Sequence, residues 1–133
     1  KARGSQIIIL NKSDLLSQEQ QRKLEATIKS KKLNALLIST ITNQNIEQLK
    51  SLIFKQMHVI RIYTKEPGKP QSTIPIVLKE NSSVKDVAES IRHGFYLQIK
   101  ETRLTGPSSK FSNQKVGLSH ILKDLDIVEF HTR

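Results

Sequence analysis

The sequence predicts an α/β segment over residues 1–57, followed by a small α+β domain over residues 58–133. Three observations indicate this: two continuous apolar runs joined by a helical pattern, a change to alternating strands near residue 59, and one strongly apolar helix in the second part. No apolar run approaches about 18 residues, so we expect no membrane partner. The absence of cysteine excludes disulfide bonds and thiol catalysis. We predict a cytoplasmic protein and, since it begins with Lys1 rather than Met, a piece of a longer one.

The first part is predicted to alternate strands and helices. Residues 6–10, Gln-Ile-Ile-Ile-Leu, are typical of a strand buried on both faces of a parallel sheet. Ser17 and Gln20 predict a capping box that opens a helix. Residues 34–39 form a second apolar strand, and Asn45 is the expected cap of a second helix. The apolar face of that helix is predicted to consist of Ile46, Leu49, Ile53 and Met57. This order indicates a right-handed parallel unit.

The second part follows a different pattern. Residues 59–63 and 75–79 predict two strands separated by a turn rich in Pro and Gly. Ser83 and Asp86 predict another capping box, and the helix they open has one apolar face, formed by Val84, Val87, Ala88, Ile91 and Phe95. The remaining predictions are a strand in residues 97–105, a short helical piece in 116–122 and a final strand in 127–131. Together these elements predict a β-grasp, or ubiquitin-like, domain.

The chain is strongly basic along its whole length. It carries 22 Lys and Arg against 12 Asp and Glu, a formal charge of +10 that both parts share. Such a surplus attracts phosphate backbones, although solubility alone also explains it. The best local cluster surrounds the predicted turn after residue 105 and consists of Lys100, Arg103, Lys110 and Lys115. We expect RNA contact there, with a solvated face as the alternative.

The tetrapeptide Asn11-Lys12-Ser13-Asp14 follows the first apolar run directly. In a guanine pocket, the carboxylate of Asp14 would accept hydrogen bonds from the ring imino and exocyclic amino groups, a pattern that adenine does not offer. Asn11 would bond the opposite side of the purine, and the aliphatic stem of Lys12 would cover the ring. Ser39 and Thr40 end the second strand, where a backbone amide would meet the guanine carbonyl. The alternatives are a chance match and a plain turn.

At these residues the sequence resembles the developmentally regulated GTP-binding proteins of the Obg-related class. The resemblance rests on segments spread over the chain, at residues 11–14, 38–40, 45–49, 61–65, 67–68, 83–87, 114–118 and 120–122. It implies that residues 1–57 are the last third of a P-loop GTPase domain. It also implies that residues 58–133 are a TGS domain, a β-grasp module shared with threonyl-tRNA synthetases and stringent-response enzymes.

The resemblance further implies GTP or GDP as cofactor, with Mg²⁺ only in the intact parent protein. The implied partners are guanine nucleotide, the ribosome or RNA, and a regulatory protein. Three positions depart from the family pattern: Thr40 stands where Ala is usual, Thr105 where Trp is expected, and Asn113 where Pro is common. The first change is tolerable because a backbone amide makes that contact, whereas the second removes an aromatic surface.

Hydrolysis of GTP needs a phosphate loop, a magnesium ligand and a residue that positions water. The sequence contains neither Gly-x-x-x-x-Gly-Lys-Ser/Thr nor Asp-x-x-Gly, so we assign no catalytic residue and expect no turnover by these residues alone. Four scattered histidines predict no metal site. Two other functions stay open: a stand-alone RNA or protein interaction module, and a regulatory TGS domain of a synthetase or stringent-response enzyme.

Overall fold

The computed structural model describes residues 6–133. The chain divides into two compact units, with the boundary between Met57 and His58. In its described residues, 6–57, the first unit has two parallel strands, two α-helices and a single 3-10 turn at Ser13–Leu15. Its elements are β1 (Ile8–Leu10), α1 (Gln18–Ser30), β2 (Ala35–Leu37) and α2 (Ile46–Met57). Strands β1 and β2 pair in parallel, with Ile9 opposite Leu36, and this parallel pairing requires the crossover that α1 provides.

The two predicted helix caps of the first unit have different outcomes. Ser17 forms the predicted capping box: its side chain accepts a hydrogen bond from the Gln20 backbone, and its own backbone N–H donates to Gln20 Oε1 at 2.9 Å. Asn45 lies at the predicted N-cap position, directly before α2, and its carbonyl accepts a hydrogen bond from Leu49 N at 3.0 Å, but its side chain has a partner outside the helix. This residue has a left-handed backbone with φ 59°, and its amide Nδ2 donates to the Leu37 carbonyl at 2.8 Å. The side chain therefore ties α2 to the end of β2.

Burial in the first unit is weaker than the apolar runs predict. Ile8 and Ile9 are 41% and 44% exposed, so the prediction of a strand buried on both faces is wrong for β1 in the described residues. The predicted face of α2 is likewise wrong in its second half, because Ile53 and Met57 are exposed. A sheet of two short strands offers too little surface to cover these side chains.

The second unit is a mixed five-stranded sheet with one helix. Its elements are β3 (Val59–Lys65), β4 (Ile76–Lys79), α3 (Val84–Ile91), β5 (Ile99–Thr105), β6 (Gln114–Val116) and β7 (Ile127–Thr132). The strand order is β4-β3-β7-β5-β6, with β3 and β7 parallel and the other neighbours antiparallel. The first and last strands thus lie side by side in the centre, which is the β-grasp arrangement.

Helix α3 closes the core of this unit. Ser83 forms the predicted capping box with Asp86, and the helix contributes its first two valines and an alanine to the core. The sheet contributes alternate residues of its three central strands. The fully buried core side chains are Ile62, Val84, Val87, Ala88, Leu104 and Val128. Ile91, predicted to face inward, is 46% exposed where the helix ends.

The short helix predicted over residues 116–122 does not form. Val116 ends β6, and the following residues form turns whose carbonyl groups face the start of α3. The Leu118 carbonyl accepts a hydrogen bond from Lys85 N at 2.9 Å, and the His120 carbonyl accepts one from Val84 N at 3.0 Å. The first N–H groups of a helix have no partner within it. The turns after β6 satisfy two of them.

A buried carboxylate fixes the turn that follows β5. Asp126 is fully buried and accepts hydrogen bonds from Ser108 N at 3.1 Å, from Lys123 N at 2.8 Å and from the Ser108 hydroxyl. Gly106 lies so close that a Cβ there would stand 2.5 Å from Asp126 Oδ1. The residues after β5 are therefore tied firmly to the start of β7.

Candidate functional site

The polar segments that follow β1 and β2 meet at the same edge of the small sheet. The Ile38 N–H donates to the Leu10 carbonyl at 2.9 Å, and the Ser13 N–H donates to the Ile38 carbonyl at 3.0 Å. These bonds extend the pairing of the two strands into the segments after them. As a result, the motif at residues 11–14 lies beside Ser39.

Asp14 is oriented by a buried hydroxyl. The Ser39 hydroxyl donates to Asp14 Oδ1 at 2.7 Å, and Ser39 itself is fully buried. The same hydroxyl oxygen accepts a hydrogen bond from Thr42 N at 3.2 Å, which fixes its position. A carboxylate has about four acceptor positions on its two oxygens. The half-buried Asp14 therefore keeps acceptor capacity after its bond to Ser39.

Asn11 and Lys12 form an exposed turn next to Asp14. The Asn11 side-chain oxygen accepts a hydrogen bond from Lys12 N at 2.7 Å. Lys12 has a left-handed backbone, φ 64° and ψ 34°, which costs a residue other than glycine roughly 1–2 kcal/mol. Thr40 is exposed and follows Ser39 directly. Of the five residues predicted for base recognition, the structure brings Asp14 and Ser39 into direct contact and places the other three beside them in the chain.

A ring of hydrogen bonds behind this site was not predicted from the sequence. The Ser13 hydroxyl donates to Gln44 Oε1 at 2.8 Å, Gln44 Nε2 donates to Gln21 Oε1 at 3.1 Å, and Gln21 Nε2 donates to the Ser13 carbonyl at 2.7 Å. The ring joins the motif, α1 and the segment before α2. No local spacing signals it, because Ser13 and Gln44 are 31 residues apart.

The second predicted cluster, in the second unit, is only partly assembled. Arg103 Nε and Lys115 Nζ both contact Glu101, at 2.8 and 3.0 Å, since β5 and β6 place them opposite each other. Hydrogen bonds from Lys115 and Arg103 lower the pKa of the Glu101 carboxyl. Lys110 lies in the turn, where its backbone N–H donates to Gln114 Oε1, and Lys100 is exposed near the start of β5.

Arg103 also belongs to a basic hollow that the sequence did not predict. The hollow measures about 360 Å³, and its lining includes Lys65, Lys69, Arg103, Ser112, Asn113 and Glu129. Burial raises the pKa of Glu129, but hydrogen bonds from His131 and Lys65 lower it, and the net shift is downward. The hollow depends on β3, β7 and β5 being neighbours, and the strand order cannot be read from local sequence.

Residues 6–133 contain neither a metal-binding cluster nor a membrane-spanning helix. In that range no three or more His, Cys, Asp or Glu side chains gather where they could hold a metal ion. Nor does that range contain a helix both long and apolar enough to cross a membrane. The cytoplasmic location stays a prediction.

The second unit shows to which family the chain belongs. The model of the TGS domain family matches residues 60–132, which is more than half of the chain and nearly all of the β-grasp sheet with its helix. The chain belongs to the TGS domain family. Within this TGS chain, the matched range includes the basic hollow and excludes the Asp14 and Ser39 site.

Similarity to known proteins also extends over the first unit. The chain is 36% identical over 124 residues to ribosome-interacting GTPase 1 of Saccharomyces cerevisiae, and 30% identical over 124 residues to developmentally-regulated GTP-binding protein 2 of Homo sapiens. A GTP-binding protein of Methanocaldococcus jannaschii is 30% identical over 123 residues. Each match covers 92% of this chain and 32% or 33% of the relative, so the chain spans about a third of their length. The resemblance to the developmentally regulated GTP-binding proteins is confirmed.

A solved structure supports the fold. The crystal structure of a GTP binding protein from Pyrococcus horikoshii matches 96% of this chain, and 45% of its own chain is covered, with a TM-score of 0.65. At 14% identity this likeness concerns the fold alone. The predicted fold class, an α/β segment followed by an α+β β-grasp TGS domain, is confirmed.

Proposed function

We propose that this chain is the part of a GTP-binding protein that recognises the guanine base, joined to a TGS domain that contacts RNA or the ribosome. The observation that carries the first half is the hydrogen bond from Ser39 to Asp14 at 2.7 Å. It orients a carboxylate at the edge of a parallel sheet, where ligands of open α/β sheets bind.

The proposed contacts follow from the chemistry of guanine. The Asp14 carboxylate accepts hydrogen bonds from the ring imino and amino groups, while Ser39 holds its plane. Asn11 bonds the other side of the purine and fixes the turn at Lys12, whose stem covers the ring. The backbone amide beside Thr40 donates to the guanine carbonyl. Adenine offers its hydrogen-bonding groups in a different pattern, so it leaves the carboxylate unpaired.

The phosphates of GTP or GDP and Mg²⁺ are proposed to be held by other parts of a longer protein. The relatives named as GTP-binding proteins are about three times as long as this chain, which supports that division of roles. The hydrogen bonds to the base alone support weak binding, on the order of millimolar, about 4 kcal/mol. We expect no GTP hydrolysis by these 133 residues.

Titration by nuclear magnetic resonance tests base recognition. Guanosine 5′-monophosphate should shift the backbone amide signals of residues 11–14 and 39–42 at millimolar concentration. Adenosine 5′-monophosphate is the matched control, because it carries the same phosphate and attracts the same basic surface. Equal shifts with both nucleotides, or shifts confined to the second unit, would contradict the proposal.

RNA or ribosome contact by the TGS domain is the second half of the proposal. The basic hollow supports it, and so does the name of the yeast relative, ribosome-interacting GTPase 1. Reversing the charge of exposed Lys110 and Lys115 should reduce co-sedimentation of the chain with ribosomes, an effect that salt should mimic. Reversing Lys23 and Lys29 on α1 is the control with the same change in net charge. If the partner is instead a regulatory protein, its association with the chain should persist after treatment with ribonuclease.

A further inference from the structure

We propose that the TGS domain binds single-stranded RNA at one defined place: an unstacked base lies on the ring of Phe111, and the adjoining phosphates enter the basic hollow. This inference rests on the RNA contact proposed above and specifies its ligand. It assigns a role to an aromatic residue outside both predicted clusters.

Phe111 is exposed although the turn around it is well fixed. Its side chain is 64% exposed. On one side, Lys110 N donates to Gln114 Oε1 at 2.7 Å; on the other, Asn113 N donates to Thr105 Oγ1 at 3.0 Å. Single exposed apolar residues are common on protein surfaces. Here, however, the backbone on both sides is held in place while the ring faces solvent, so little ordering is required when a flat ligand binds.

The start of the same turn is fixed as well. Ser108 is bound through its backbone and its hydroxyl to the fully buried Asp126, and Ser109 N donates to the Gly106 carbonyl at 3.0 Å. Opening this turn would break the hydrogen bonds that Ser108 donates to a buried carboxylate, and a buried charge that loses donors is costly. The turn that carries Phe111 is therefore a preformed platform.

The hollow supplies positive charge beside the residues that follow Phe111 in the chain. Three cations line it, and each is paired with one carboxylate: Lys65 with Glu129, Lys69 with Glu66 and Arg103 with Glu101. The two residues after Phe111 in the chain are part of the same lining and offer a hydroxyl and an amide. A phosphodiester anion can compete for these cations, because exposed ion pairs are weak, and it can accept hydrogen bonds from the neighbouring donors. The turn that presents the aromatic ring thus also supplies two residues of the hollow.

An exposed aromatic ring together with a basic hollow favours single-stranded RNA over duplex RNA as the ligand. In single-stranded RNA the bases are free to stack on aromatic side chains, whereas in a duplex their faces are already stacked. An acidic protein segment would satisfy the cations but leaves the aromatic ring with no specific role. We therefore take single-stranded RNA as the ligand and treat the other two as outcomes of the test.

The test uses the full chain and a fluorescent ten-nucleotide uridine RNA, with affinity measured by anisotropy. Phe111→Ala should weaken binding about tenfold, since stacking on one aromatic ring is worth roughly 1–3 kcal/mol. Phe111→Tyr should restore it. Leu97→Ala is the matched control: Leu97 is 68% exposed in the turn before β5 and should leave the affinity unchanged.

Salt dependence tests the phosphate contacts. Lys69→Gln should reduce the slope of log affinity against log salt by about 0.7, the value for one phosphate contact in a single strand. Lys23→Gln on α1 is the control and should leave the slope unchanged. A slope that Lys69→Gln does not change would overturn the placement of the phosphates in the hollow.

The remaining outcomes separate this inference from the proposed function. Uridine RNA binding that is equally strong in Phe111→Ala overturns the inference and leaves general RNA contact standing. Tighter binding of a ten-base-pair RNA duplex, or equal binding of polyglutamate, also overturns it. Failure of the wild-type chain to bind any RNA overturns both this inference and the RNA part of the proposed function, while guanine recognition is unaffected.

Discussion

The hydroxyl of Ser39 donates a hydrogen bond of 2.7 Å to Asp14, 25 residues earlier in the chain. Each residue lies just beyond the end of a parallel strand, and each strand is only three residues long. The contact therefore depends on the register of β1 against β2. It joins the motif at residues 11–14 to Ser39, which are two parts of the predicted base-recognition site.

Ser39→Ala tests whether this bond orients the carboxylate. Removing the hydroxyl should lower the affinity for guanosine 5′-monophosphate about tenfold or more, because a hydrogen bond to a charged group contributes roughly 1.5–3 kcal/mol. Amide shifts in a nucleotide titration measure the affinity. Ser30→Ala, which removes an exposed hydroxyl near the end of α1, should have no effect. An unchanged affinity in Ser39→Ala would show that the bond has no role in binding.

Two glycines of the TGS domain provide a matched test of packing. Gly106 has φ 144°, and a Cβ there would stand 2.5 Å from a side-chain oxygen of Asp126 and 2.9 Å from its Cα. Gly106→Ala should therefore lower the free energy of unfolding by about 2 kcal/mol or more. Gly117→Ala meets no atom within 4 Å and should change it by less than about 0.5 kcal/mol. Urea unfolding followed through the amide signals of β7 measures both. Equal effects of the two substitutions would refute the close approach at Gly106.

The ion pair of Arg61 with Asp124 predicts part of the acid sensitivity of the TGS domain. Arg61 Nη2 lies 2.8 Å from Asp124 Oδ2, and this hydrogen bond lowers the pKa of Asp124, against the opposing effect of burial. In the unfolded chain the ordinary value is about 3.9. The stabilisation is thus present above about pH 4 and is lost as pH falls through the lower folded pKa.

Arg61→Gln should reduce this loss. With the guanidinium removed, the pKa of Asp124 returns towards its ordinary value, so unfolding of β7 in urea becomes less dependent on pH below about 4. Arg92→Gln is the control, because Arg92 donates to Gln98 rather than to a carboxylate. If the pH dependence is the same in all three proteins, the pair does not contribute to it.

Local signals in the sequence predicted the elements well where one hydrogen-bond pattern determines the structure. Both capping boxes, at Ser17 and Ser83, are confirmed, because the pattern needs only residues three apart. Asn45 lies at the predicted N-cap position, but its side chain contacts the Leu37 carbonyl, a partner in another element that the local pattern does not reveal. Residues 116–122 form a strand end and turns because they bind β5 and the start of α3, which no local propensity reveals.

The same limit applies to the sites. The motif at residues 11–14 is local and could be recognised, whereas its support by Gln21 and Gln44 depends on the folded unit. Similarly, the basic cluster predicted near β5 included Arg103, but Lys65 and Lys69 join it only through the order β3-β7-β5. The topology of the sheet determines which strands lie side by side. A single sequence shows which residues are neighbours along one strand, but not which residues face each other on adjacent strands.

The most direct test of guanine recognition is the change of base preference in Asp14→Asn. Xanthine has a carbonyl where guanine has its exocyclic amino group, and an asparagine amide can donate to that oxygen, whereas a carboxylate cannot. Dissociation constants for guanosine and xanthosine 5′-monophosphates, measured by amide shifts, give the preference of each protein. The account predicts that the wild-type chain prefers the guanine nucleotide and that Asp14→Asn prefers the xanthine nucleotide, with Glu19→Gln unchanged. An unaltered preference for guanine in Asp14→Asn would contradict it.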